Sequence, residues 1–197
     1  MALSREEILK ILEETKVLNE GHFLLSSGRH SAQYMQCARL FENAEYSSLL
    51  CKEVCEKFAD TKIDIVVGPA IGGIIMSYEV SRHLGVKNIF AEKVEGGMAL
   101  RRGFEIPEGA NVLVTEDVVT TGGSVRKVMD VVRAHGGNVV GVASIVDRSN
   151  GTVDFGVPFN AVLTTEVISF EPDECPLCKE GKTPAIKLGS GKPNTTK

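Results

Sequence analysis

The stretch VLVTEDVVTTGGS, Val112 to Ser124, sets two adjacent carboxylates, Glu116 and Asp117, directly behind an apolar run. A strand with a purely structural role has little reason to end on such a pair, because buried acids are costly without a partner. Val118 and Val119 follow, then Thr120, Thr121, Gly122, Gly123 and Ser124, and then an amphipathic pattern of helical period. In a strand-turn-helix corner of this kind the backbone N–H groups of the turn and the helix N-terminus converge on one spot, which suits an anion. The two glycines open backbone conformations closed to other residues and let an oxygen-rich ligand approach, and the three hydroxyls add donors. A phosphate fits. The two acids would repel it unless they serve another part of the same ligand, such as neighbouring sugar hydroxyls or a magnesium ion bound to them. A phosphorylated ribose satisfies both demands. The stretch lacks the GxxxxGK[ST] of a nucleoside-triphosphate loop and the GxGxxG of a dinucleotide fold, which disfavours both. The competing reading is a structural corner with accidental acids.

Outward from this corner, apolar runs alternate with helical patterns. Ile63–Gly68 is a strand-like run ending in Gly-Pro; Ile71–Leu84 is helical with Gly85 as its stop; Asn88–Glu92 is a further strand. A helix from about Ser124 to His135, closed by Gly136 and Gly137, leads to strands at Val139–Asp147 and Ala161–Val167. Buried strands alternating with helices imply an α/β fold with a mostly parallel central sheet flanked by helices. Ligands of such sheets sit at the carboxyl ends of the strands, which selects the loops GPAIGG, EKVEGGMALRRG, TEDVVTTGGS and DRSNGT. Upstream, Ser4 with Glu7 forms a capping box, with Leu3 and Ile8 placed as a hydrophobic staple, so a helix runs from Arg5 to near Thr15. GHFLLSSGRHSAQYMQC reads as a hairpin or two short strands around Ser27 and Gly28, and Ala44–Phe58 as a second amphipathic helix.

The chain has 197 residues, 43% of them hydrophobic, enough for one globular domain with a substantial core. Its net charge of -4 argues against a protein that coats nucleic acid or an anionic membrane. No stretch is long and apolar enough to span a bilayer, and MALSREEILK lacks the apolar core of a signal peptide, so a cytoplasmic location is expected. Five cysteines, an odd number, read as reduced thiols, with Cys51 and Cys55 as small buried apolar residues of a helix. Cys175 and Cys178, in CPLC, are possible zinc ligands; they supply half of a four-ligand site, and no second CxxC or paired histidines accompany them, so further ligands must come from elsewhere or from a second chain.

VLVTEDVVTTGGS resembles the phosphoribosyl-pyrophosphate (PRPP) signature of the type I phosphoribosyltransferases. Phe23, Leu25, Ser27, Gly28 and Ser31 resemble the FxLxSGxxS segment of the orotate phosphoribosyltransferases, and Asp147-Arg148 that family's strand-end arginine. With GPAIGG, the likeness covers about Gly21 to Arg148, and RRGFEI and CPLC are similar to the Thermus-type branch. The resemblance implies a type I phosphoribosyltransferase fold over 1–181, with a small hood from about 1–40 plus a C-terminal segment, and a disordered tail at 182–197. It implies transfer of ribose 5-phosphate from PRPP to N1 of orotate, giving orotidine 5'-monophosphate and pyrophosphate, in pyrimidine biosynthesis. Another purine or pyrimidine phosphoribosyltransferase, or a non-catalytic PRPP-sensing regulator, are the alternatives.

By the same resemblance Glu116, Asp117, Val118, Val119, Thr120, Thr121, Gly122, Gly123, Ser124 and Lys93 bind PRPP, and Lys93 and Asp117 carry the catalysis. Thr120 and Arg148 contact orotate, for whose carboxylate a guanidinium is the natural partner; the other reading of Arg148 is an ion pair with Asp147. Pro69, Ala70, Ile71 and Gly72 form the pyrophosphate loop, with a cis peptide between Ala70 and Ile71; a simple helix-entry turn also explains the Gly-Pro pair. Magnesium is expected to arrive on PRPP without direct protein ligation, and the chain to form a homodimer. Several cations usual in the family are missing. Glu92 stands where an arginine is usual, Ser26 and Gly72 where lysines are, and the segment bearing a later lysine and histidine is deleted. Lys93, Arg101 and Arg102 are the remaining candidates to neutralise departing pyrophosphate, and a solvated strand edge is the other reading of the two arginines.

Overall fold

The computed structural model describes residues 3–25, 27–166 and 168–188. A six-stranded sheet forms the centre, built from β3 (Ile65–Pro69), β4 (Lys87–Val94), β5 (Gly97–Leu100), β6 (Asn111–Val119), β7 (Asn138–Asp147) and β8 (Phe159–Thr164), in the order β5-β4-β3-β6-β7-β8. All neighbours pair in parallel except β4 and β5. The apolar runs alternate between two cores, as a period of two requires. Val66, Leu113 and Ile145 join the first core together with Leu12 of α1 (Arg5–Glu14), Leu50 and Val54 of α2 (Ala44–Glu56) and Met76 and Val80 of α3 (Gly72–Leu84). Ile65, Val67, Val112 and Val114 face the other side, against Val125, Val128, Met129 and Val132 of α4 (Gly123–Ala134). Cys51 and Cys55 lie buried in the first core, as small apolar residues would. Among the described residues no helix is long and apolar enough to cross a membrane.

Local signals place the helix ends. Ser4 Oγ accepts from the Glu7 N–H at 3.2 Å while a Glu7 carboxylate oxygen accepts from the Ser4 N–H at 2.8 Å, closing the capping box. Asn43, which the sequence reading did not single out, caps α2 by accepting from the Glu45 and Tyr46 amides. Gly85 ends α3 at φ 68.

Two segments differ from the sequence expectation. EKVEGGMALRRG, read as a loop, is largely a β-hairpin: β4 runs on to Val94, Glu95 and Gly96 make the turn with Gly96 at φ 79, and β5 returns antiparallel. The short two-residue connection between alternating residues was the available sign. The strand carrying the acids also runs further than its apolar run, because Glu116, Val118 and Val119 keep their ladder positions beside Ser144, Val146 and Asp147.

The hairpin expected near Gly28 is β1 (Leu18–Leu24) paired antiparallel with β2 (His30–Met35). The C-terminal chain covers both its edges. On one, His30 and Phe170 exchange backbone hydrogen bonds of 2.8 Å; on the other, Ile186 donates to His22 O and accepts from Leu24 N–H. The tail expected to be disordered from 182 thus lies along β1 as far as Ile186, and residues 189–197 are outside the described residues, as are Ser26 and the last residue, Val167, of the expected Ala161–Val167 strand.

The β6/β7 register shifts between Val112 and Leu113, where β7 holds one extra residue, and Gly141 of that stretch lies under the ring of Phe58. A Cβ there would sit 2.5 Å from a ring carbon, and Phe58, 2% exposed, has no room to retreat. Gly141→Ala is expected to lower the unfolding free energy by about 1–3 kcal/mol, the usual cost of overpacking, as read from urea denaturation at unchanged m-value.

Candidate functional site

In the sheet order, β3 connects to β4 on one side while its other neighbour is β6, so the order in which strands are added to the sheet reverses between β3 and β6. A crevice opens at the carboxyl ends of strands flanking such a switch point, and ligands of open α/β sheets bind there. The loop after β3 is GPAIGG and the turn after β6 is TTGGS, so the topology brings the two loops picked from the sequence to one place. Their contact is close. A Cβ on Gly72 would lie 3.3 Å from both carboxylate oxygens of Asp117, and one on Gly73 would lie 3.4 Å from Glu116 Oε1 and 2.6 Å from the Pro69 ring. A Cβ at 73 has no room, and one at 72 would press on the Asp117 carboxylate. The Ala70–Ile71 peptide is cis, and Ala70 N–H is held by Ala91 O at 2.7 Å.

Glu116 is 8% exposed. Asp117 donates its N–H to Glu116 Oε1 at 3.3 Å, and the Val118 N–H donates to Asp117 Oδ1 at 2.9 Å. Burial, and for Glu116 the neighbouring Asp117 charge as well, push both carboxyls above their ordinary range. Cys37, at the start of a 3-10 helix (Cys37–Glu42), is buried within the field of both acids and of Arg148; burial above all raises its thiol, so it is no nucleophile.

The turn after β6 lines a cavity of about 270 Å³ with Thr120, Thr121, Gly122, Gly123 and Ser124, together with Glu116 and Lys127. Gly122, at φ 75, caps α4, and a Cβ on it would strike the Phe155 ring at 2.7 Å, so neither its conformation nor its surroundings admit a side chain. The cavity meets the open N-terminus of α4, where unpaired N–H groups and the helix dipole favour an anion. Lys127 was not singled out in the sequence, where a lysine on an amphipathic helix is indistinguishable from a solvated one; its place one turn after Ser124 is the only hint.

Arg148 leaves the end of β7, its N–H bonded to Val119 O at 2.8 Å. The ion pair with Asp147 does not form, because Asp147 is saturated by Ser149 N–H, Ser149 Oγ and Gly151 N–H at 2.8, 2.6 and 3.0 Å. Arg148 Nε is buried without a partner among the described residues, the condition of a donor built for a ligand. Lys93 is exposed near the end of β4, opposite Met98 of β5. Beside it Glu92 pairs with Arg102 at 2.5 Å and Arg101 at 3.9 Å, so both arginines are engaged with an acid of their own hairpin.

Phe23 is 5% exposed and Ser31 is fully buried, its hydroxyl donating to Ile168 O at 2.8 Å, while Gly28 takes φ 86 in the hairpin turn. The FxLxSGxxS residues therefore shape the hood and its attachment to the C-terminal chain. Cys175 and Cys178 flank the start of α5 (Pro176–Glu180), packed on the hood rather than at the acid pair.

Residues 41–170 match the family model of the phosphoribosyl transferase domain. The orotate phosphoribosyltransferase of Caldanaerobacter subterraneus subsp. tengcongensis is 54% identical over 190 residues, 96% of this chain and 100% of the relative, and that of Thermoanaerobacter sp. is 56% identical over the same shares. Among solved structures, orotate phosphoribosyltransferase from Aeropyrum pernix superposes with a TM-score of 0.65 at 27% identity, covering 80% of this chain and 93% of that one. A glycine turn at a helix N-terminus, an acid pair at the switch point and an unpartnered strand-end guanidinium Nε thus occur in a chain with full-length likeness to these enzymes, and the chain belongs to the orotate phosphoribosyltransferase family.

Proposed function

We propose that the chain transfers the ribose 5-phosphate unit of PRPP to N1 of orotate, releasing pyrophosphate. The observation that carries this reading is the juxtaposition of buried Glu116 and half-buried Asp117 with the amide-rich turn Thr120–Ser124, one set of groups for the ribose and one for its phosphate. The 5-phosphate docks in the turn, held by backbone N–H groups, the hydroxyls of Thr120, Thr121 and Ser124, and the charge of Lys127. The ribose hydroxyls donate to Glu116 and Asp117, which lie where positive charge grows on the ring as the bond at C1 breaks. Val118 and Val119 shape the wall between the two subsites. Pro69, Ala70, Ile71 and Gly72 border the pyrophosphate, and Thr120 and the free edge of Arg148 hold orotate through its carbonyl and carboxylate.

Magnesium fits this site as a partner of the substrate: two carboxylates pushed up by burial and crowding gain from a nearby divalent cation, and the ion would neutralise the pyrophosphate as it leaves. Proximity and fixed electrostatics do the rest, with no covalent nucleophile. The five unpaired thiols suit a reducing cytoplasm.

We also propose a homodimer. Ile71, Ile75 and Tyr78, at i, i+4 and i+7 along α3, are 86, 52 and 58% exposed, an apolar stripe that a second copy would cover. Sedimentation of the wild-type chain is expected to give a dimer and that of Ile75→Asp a larger monomer fraction; a wild-type monomer at micromolar concentration would refute the pairing.

The direct test of the reaction is loss of orotate absorbance on adding PRPP with magnesium, with adenine, hypoxanthine and uracil as inactive acceptors. In that assay Lys93→Ala is expected to lose roughly 10²-fold or more in kcat, the scale of removing one donor from a transition-state charge; near-full turnover would exclude Lys93 as the principal cation.

The acid pair also predicts a pH dependence. Glu116 has a folded-state pKa raised above its ordinary 4.5, so the folded state holds the proton longer than the unfolded one. Ligand-free stability should therefore fall as pH rises from the ordinary glutamate range toward the raised value. Glu116→Gln should flatten this slope in thermal melts across the window, and an unchanged slope would show that the burial of this charge costs nothing.

A further inference from the structure

Away from the acid pair, four metal-binding side chains converge that the transfer reaction does not use. His22 of β1, His30 at the start of β2, Cys175 at the N-cap of α5 and Cys178 within it bring their donor atoms within 4.8 Å of one another. His22 Nε2 lies 3.0 Å from His30 Nδ1, 3.5 Å from Cys175 Sγ and 3.6 Å from Cys178 Sγ, and His30 Nδ1 lies 3.2 Å from Cys178 Sγ. Around a tetrahedral zinc ion, with Zn–N of about 2.0–2.1 Å and Zn–S of about 2.3 Å, the edges come to about 3.3 Å between nitrogens, 3.6 Å between nitrogen and sulfur and 3.8 Å between sulfurs. The four measured edges match these values to within a few tenths of an ångström. We propose that His22, His30, Cys175 and Cys178 form a closed Cys2His2 site for a structural zinc ion.

A second observation, independent of the spacing, points the same way. His22 Nδ1 lies 2.8 Å from the carbonyl oxygen of Thr183, which can only accept, so Nδ1 carries the ring proton and the lone pair of Nε2 faces the other three donors. An outer carbonyl that fixes the tautomer of a ligating imidazole is the usual support of a zinc histidine. The donor set selects the metal class, since two thiols and two imidazoles suit zinc and leave nothing for magnesium or calcium, which take oxygen.

The backbone explains how two histidines eight residues apart reach one point. In β1 the register slips between Glu20 and Phe23, so that neighbouring His22 and Phe23 are both buried instead of alternating. His30 pairs with Leu24, two residues beyond His22, which makes the histidines diagonal neighbours across the hairpin. The cysteines sit in the segment that crosses from one hairpin edge, at Phe170, to the other, at Ile186. The ion would therefore fasten this crossing segment to the hood.

The test uses the full chain, purified without a polyhistidine tag or chelator from zinc-supplemented cells. Elemental analysis is expected to find about one zinc per chain, and the cobalt-substituted protein to show thiolate-to-cobalt charge transfer with the intense visible bands of a tetrahedral site. Cys178→Ser, at an exposed position, should keep the fold by circular dichroism and hold zinc at least about tenfold less tightly against a chelator; His30→Gln supplies the same readout if that variant does not fold. Chelator-stripped wild type should be cut faster by trypsin at the exposed Lys179 or Lys182. The proposal fails if the wild type carries no zinc and gives no tetrahedral cobalt spectrum. It fails equally if both variants retain zinc as the wild type does, or if mass spectrometry finds Cys175 and Cys178 joined as a disulfide in freshly prepared protein.

Discussion

The arrangement rests on two carboxyl groups held side by side at the end of a central strand, Glu116 buried and Asp117 half-buried. Burying Glu116 beside Asp117 costs stability in the free protein, since desolvation and repulsion both disfavour the charged forms. The fold tolerates this because β6 lies in the middle of the sheet, between β3 and β7, with apolar cores on both faces. What relieves the pair is a ligand with hydroxyl donors or a cation, so the strain at rest favours the substrate. The glycines of the β3 loop let it lie close to the pair, with a Cβ at 72 only 3.3 Å from the Asp117 oxygens.

The sequence displayed this part of the molecule because its physics is local. A strand, two acids and a glycine turn are contiguous, and glycines at 122 and 123 announce a backbone that must approach something closely. The alternation of apolar runs with helical patterns likewise displayed the sheet, and the Ala70–Ile71 geometry expected from resemblance is present. Three features escaped, two of them because they depend on residues distant in sequence. Lys127 matters only once the helix is docked behind the turn. The β4–β5 hairpin is local, but its second strand is only four residues long, too short for an alternation to stand out. The two histidines beside CPLC were invisible as a pair because their spacing matches no helical metal motif, and a bulge in β1 supplies the missing alignment.

The hood illustrates how a marginal element is made definite. A two-stranded hairpin has little independent stability in water, and its edges would be open to further pairing. Here the C-terminal chain occupies both edges: Phe170 beside His30, Ile186 beside His22 and Leu24, and Ser31 tied to Ile168. Arg29 adds hydrogen bonds to the Ser169 hydroxyl and carbonyl and an ion pair with Glu171. The residues of the FxLxSGxxS segment are thus held in place by a segment more than a hundred residues later in the chain. The position of Phe23 and Gly28 over the sheet depends on how firmly that segment is fastened.

The charge distribution around the crevice completes the picture. A leaving pyrophosphate needs cations, yet Glu92 engages both Arg101 and Arg102, which leaves Lys93 as the positive charge near the carboxyl end of β4 with no ion pair among the described residues. In the proposed binding mode the turn after β6 offers an anion the α4 N-terminus and Lys127 rather than an arginine, since Arg126 is stacked on Phe155 and bonded to Asp154 O. In the same proposed mode positive charge is divided between two ends of one ligand, with the Glu116–Asp117 pair between them. In such a field an anionic substrate gains most when it brings its own divalent cation, because the metal cancels charge that the protein does not, and does so beside carboxylates that repel the bare anion.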